Sequence, residues 1–118
     1  MVSRKEETLE VDTFSVGNTY TRAEIADLGV GASGEVVRLH GLAVTMRAQG
    51  TMTFSYDNDG EGDGAVVLSG PISLGAGGGI LIPFNADPRG SLATIADKHL
   101  TLTFGTAGGD GYAIISKG

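Results

Sequence analysis

The sequence predicts an all-β fold: an antiparallel two-sheet β-sandwich or jelly roll of seven to nine strands with one short N-terminal helix. Three observations carry that prediction. Several stretches alternate strictly between apolar and small polar residues, most clearly Met52-Thr53-Phe54-Ser55-Tyr56 and Leu100-Thr101-Leu102-Thr103-Phe104. A period of two gives each stretch one greasy face and one wet face, as strands packed face to face require. The links between these stretches are mostly glycine: the chain has 20 glycines, 3 prolines and no tryptophan. Their spacing is irregular, which excludes collagen and fits tight turns between short strands. Finally, the greasy faces absorb nearly all the apolar content as core.

At 118 residues the chain is the size of one domain with a single core. No run approaches the ~18 consecutive apolar residues of a membrane span, so no membrane partner is expected. The charged start, Met1-Val2-Ser3-Arg4-Lys5-Glu6-Glu7, lacks the apolar run of a signal peptide, and the chain is read as made and used without export. Cysteine is absent, which excludes disulfides and thiolate metal sites. Acids outnumber bases 14 to 8, for a net charge of −6, and the bases are scattered apart from Arg4-Lys5. Without a basic stripe to displace counterions, nucleic acid is not an expected partner.

Residues 1–34 read as a charged arm, an edge strand and a short helix, and residues 35–118 as the sandwich, within one domain overall. Leu9 to Phe14 is the expected edge strand. Thr21-Arg22-Ala23-Glu24 fits a capping box, Ile25 and Leu28 form an apolar edge, and Gly29 is a stop, so the spacing predicts a helix over 22–28. Glu35–Leu39 and Leu42–Arg47 flank a bend or bulge at His40-Gly41, with Leu42, Val44 and Met46 facing inward. Ala48-Gln49-Gly50 turns into Met52–Tyr56, and the acidic segment 57–64 leads to Ala65–Leu68. Ile72–Leu74 is brief, and Pro83 marks Ile80–Phe84 as an edge strand or strand end. Asp87-Pro88-Arg89-Gly90 has the signature of a type I turn. Leu100–Phe104 and Tyr112–Ser116 are expected to close the fold as a last hairpin.

Asp57-Asn58-Asp59-Gly60-Glu61-Gly62-Asp63-Gly64 is the dense cluster of oxygen ligands. Asp57, Asp59, Glu61 and Asp63 on a glycine-rich loop could wrap a hard cation such as calcium. The loop is no EF-hand, since Leu68 stands where a bidentate glutamate is required. Against the calcium site stands a solvated turn, in which Asp, Asn and Gly supply geometry and charge discourages edge pairing. Gly75 to Gly79 resembles a phosphate loop only superficially: a strand with Pro83 follows, not a helix N-terminus. The two histidines, His40 and His99, have no zinc-ligand spacing. Ser33 or Ser91 could join a histidine and an aspartate, but no nucleophile elbow supports a triad. No catalytic residue and no cofactor is therefore assigned, apart from the calcium alternative. The Thr/Ser-rich outer faces lack stacking aromatics for sugar, because Phe54, Tyr56, Phe104 and Tyr112 are expected inward and only Tyr20 outward.

Residues 38–116 resemble small β-sandwich virion proteins of tailed bacteriophages. The resemblance rests on "LHGLAVTMRAQGTMTFSY", "VVLSGPISLGAGGGILIPF" and "LTLTFGTAGGDGYAII". It implies a non-enzymatic capsid decoration (cement) protein on the virion surface, bound to the major capsid protein and self-associated, a trimer being favoured. The arm and first elements, with Arg4, Lys5, Leu9, Tyr20, Ile25 and Leu28, are the expected docking residues, acting by strand addition and helix docking. The alternatives are a calcium- or carbohydrate-binding sandwich module and a tail or head–tail structural component.

Overall fold

A computed structural model of the chain describes residues 9–15, 24–87, 89–105 and 108–118. Arg4, Lys5, Tyr20 and the first three residues of the capping box lie outside them. The described residues form β1 (Leu9–Ser15), β2 (Glu24–Val30), β3 (Val37–Met46), β4 (Gly50–Asp57), β5 (Val66–Val67), β6 (Ile72–Leu74), β7 (Gly79–Ile82), β8 (Leu92–Ala93), β9 (His99–Gly105) and β10 (Gly109–Lys117). They pack as two antiparallel sheets. The first runs β1-β10-β3-β7, with β8 pairing the same edge of β3; the second runs β2-β9-β4-β5, with β6 pairing the same edge of β4.

The alternating stretches supply the core as their pattern demands. Leu42, Val44 and Met46 of β3, with Ala113 and Ile115 of β10, face Met52 and Phe54 of β4 and Leu100, Leu102 and Phe104 of β9, all buried. Each of these side chains except Ala113 contributes roughly 1.5–3 kcal/mol on leaving water. Val37 and Leu39 are buried too, although they stand out of phase with Leu42 to Met46. The bulge expected at His40-Gly41 resolves this: Ile115 pairs with Leu39 and Ile114 with Gly41, so β3 carries one extra residue and both apolar sets reach the core.

Three expectations are corrected. Residues 24–30 form strand β2, not a helix: Ala26 and Leu28 point into the core while Asp27 faces out, a period of two that the Ile25/Leu28 spacing disguised. Strands β9 and β10 are not a hairpin, because β9 lies between β2 and β4 while β10 lies between β1 and β3 in the other sheet. The glycine-rich link after Phe104 therefore crosses between sheets. The described residues also hold ten strands and not seven to nine, since the far edge of each sheet is built from two short pieces. Near the open side Phe14 of β1 and Phe104 of β9 meet across the sheets, ring centroids 6.3 Å apart.

Candidate functional site

The densest chemistry lies on the outer face of the second sheet, where the acidic segment folds back over β9 and β2. Asp57 ends β4 beside His99 of β9 and is only 1% exposed. Its carboxylate accepts the Gly60 N–H at 2.6 Å and the Gly62 N–H at 2.8 Å. Asp59 accepts the N–H groups of Glu61 at 2.8 Å and Asp63 at 3.2 Å, and these backbone donors hold its pKa below the ordinary carboxylate value. Asn58 donates its side-chain amide to Asp63 at 3.2 Å and accepts from the Lys98 ammonium. Gly60, at φ 77°, lies against Asp27 and His99 so closely that a Cβ would strike both. Beneath it His99 Nδ1 and Asp27 Oδ2 are 2.7 Å apart, tying β9 to β2.

This geometry uses the carboxylates to close a turn. Each oxygen of Asp57 accepts one backbone amide, which ties the carboxylate into the turn. Among the described residues no three His, Cys, Asp or Glu side chains converge on a point that could hold a metal ion. Asp57 and Asp59 each accept two backbone amides, and Asp63 is bonded to the Asn58 side chain.

A second cluster was invisible in the sequence. His40, 3% exposed, donates from Nδ1 to the Asn85 carbonyl at 2.9 Å, so its Nε2 accepts from the Ser116 hydroxyl at 2.8 Å. Ser116 is fully buried. The Ser–His contact bridges β3, β10 and the segment after β7. Neither Ser33 nor Ser91 is the partner. The two residues stand 76 apart in the chain, and no spacing rule joins them.

A third cluster lies in a cleft of about 280 Å³ between β1 and β2, lined by Glu10, Asp12, Asp27, Val30 and Lys117 among others. Burial raises the Asp12 pKa, and the nearby Asp27 charge raises it further. Lys117 lies 3.5 Å from Glu10. A shallow groove at the start of β4, between Gln49-Gly50-Thr51 and Ser73-Leu74-Gly75, carries no acid or base.

Of the expected docking residues, Leu9 is 46% exposed on β1. Ile25 is half-buried and faces the acidic loop, its Cδ1 3.3 Å from where a Cβ on Gly62 would stand. Leu28 is fully buried in the core and offers nothing to a partner, since the strand turns inward the side chain a helix would have shown. Tyr112, expected inward, is 42% exposed on the outer face of the first sheet. Exposed apolar side chains are the missed feature: Val11, Val67, Leu81, Phe84 and Ile95 are each more than half exposed.

No protein-family model matches the chain, and no curated protein or solved structure does either. The class is accordingly defined by architecture, an all-β protein of two packed antiparallel sheets.

Proposed function

We propose that the protein is a non-enzymatic structural component of a tailed-phage virion, a decoration protein that docks on major capsid subunits and stabilises the shell. The observation that carries this reading is a division of labour among side chains. His40, His99, Asp27, Asp57 and Ser116 bond to one another or to nearby backbone, holding strands and turns together. Large apolar side chains stay in solvent instead, where association with other proteins would bury them. An acidic, base-poor surface also suits a protein partner better than a nucleic acid. The sequence resemblance names the setting, and architecture alone does not imply it.

Docking in this reading uses the arm with Arg4 and Lys5, the exposed Leu9 on β1, and apolar faces. A docked helix has no place in it, because residues 24–30 are strand.

The test is co-sedimentation of the purified chain with heads built from the major capsid protein encoded in the same genome. Saturable pelleting, with heads that then resist heat better, is expected. Failure to pellet, combined with a melting temperature raised by millimolar calcium, would transfer the reading to a calcium-dependent binding module.

A further inference from the structure

We infer that the outer face of the first sheet is a pairing surface for a second copy of this chain. The register places these side chains together. Val11 of β1 pairs with Ile114 of β10, Tyr112 of β10 with Ala43 of β3, and Ala43 with Leu81 of β7. Their chain neighbours Ala113, Ile115, Leu42 and Val44 are core, so this set faces out. Phe84 extends the band beyond β7, its Cα lying near Gly41. Val11 is 67% exposed, Leu81 69%, Phe84 53% and Tyr112 42%. No charged residue interrupts the band. A polar rim closes one end, where Arg47 donates to Asp110 at 2.7 and 2.9 Å and to Ser15 at 2.6 Å.

Shape selects the occupant. Strand β10 raises a ridge, Tyr112 and Ile114, directly beside the low positions of β3, Ala43 and Gly41. A two-fold axis running along the strands between β10 and β3 lays each copy's ridge on the other's low strand. Tyr112 then rests on Ala43 of the second copy, and β1 lies over β7. The face is self-complementary, which a two-fold interface requires. Two sheets stacked this way lie about 10 Å apart. Stacking would cover four large exposed apolar side chains on each copy, a small interface of the kind that associates weakly. Charge agrees: a chain of net charge −6 repels itself over most of its surface, and this uncharged band, whose rim ions are already paired, is where copies can approach.

Sedimentation equilibrium of the whole chain tests the pairing, with Leu81→Lys, Tyr112→Glu and the second-sheet control Val67→Lys. The wild type and the control are expected to be dimers at micromolar to tens of micromolar concentration. Leu81→Lys and Tyr112→Glu should each raise the dissociation constant about tenfold or more, with melting profiles of the dissociated chain little changed because both side chains are exposed. A wild-type monomer at 100 micromolar, a trimer, or a dimer indifferent to both variants would overturn the inference. A monomer that still pellets with heads would do so while leaving the decoration role intact.

Discussion

At the residue scale, the acidic segment is held by one carboxylate. Asp57 is buried and accepts two backbone N–H groups, so removing it leaves two donors and a turn without its anchor. Hydrogen bonds to an ionised group contribute about 1.5–3 kcal/mol each, and Asp57→Ala should cost roughly 3 kcal/mol in chemical denaturation. Asp57→Asn, which keeps an acceptor oxygen, should cost about half as much. Ser116→Ala tests the buried histidine by the same logic. It removes the hydroxyl that donates to His40 Nε2, and an unsatisfied buried acceptor costs about 1–3 kcal/mol. Denaturant midpoints measured for the three variants check these losses.

At the element scale, the strands facing solvent on one side are guarded by charge. Asp12 on β1 is drawn toward the gap between the sheets, and burial and Asp27 both raise its pKa above 3.8. The folded chain therefore binds that proton more tightly than the unfolded chain. Ionisation at neutral pH works against folding, and the penalty fades as pH falls through the raised value. Asp12→Asn should raise the melting temperature at pH 7 by about 1–3 °C and give no gain at pH 3. Asp110 has the opposite sign. The guanidinium of Arg47 first, then the Ser15 hydroxyl, lower its pKa from 3.8 to about 2. Its contribution is complete above the ordinary carboxylate value and disappears as pH falls toward 2. Both partners are more than a third exposed, so solvent screening keeps the contribution of the pair small. Asp110→Asn should flatten that part of the acid limb in a pH series of melts. An inward carboxylate on β1 and a register shift in β2 between Asp27 and Gly29 also make both long edges poor templates for an added strand.

What could be read in the sequence follows the same elements. Period two placed Leu42, Val44, Met46, Met52, Phe54, Leu100, Leu102 and Phe104 in the core, because on a half-buried strand the pattern and the environment are one fact. It failed over 24–30, where a seven-residue window with alanine at one inward position satisfies helix and strand spacing alike. It could not tell which sheet a strand joins, so β9 and β10 read as a hairpin. Tyr112 misled for a related reason: alternation says that two faces differ, not which one meets the core. The acidic cluster was legible as a loop, whereas its packing depends on Gly60 approaching Asp27 and His99, which lie on strands distant in sequence.

At the scale of the whole molecule, the topology joins the beginning of the chain to its end. Among the described residues β1 pairs only with β10 and β2 only with β9, so each waits for partners far along the sequence. Closing such long loops before contacts form makes refolding slow, on the order of milliseconds to seconds. It also sets an order: β3, β4, β9 and β10 can assemble the central core, after which β1 docks on an existing edge. Phe14 reports that late step, because its ring reaches Phe104 across the sheets and is the main apolar anchor of β1. Phe14→Ala, at a half-buried site, should lose about 2 kcal/mol, less than a full core truncation. If β1 docks after the transition state, nearly all of that loss falls on unfolding, which should accelerate about thirtyfold while refolding barely changes. A chevron plot decides the point. A refolding limb slowed by the full amount would place β1 in the nucleus, with β10 and β1 pairing before the central core is complete.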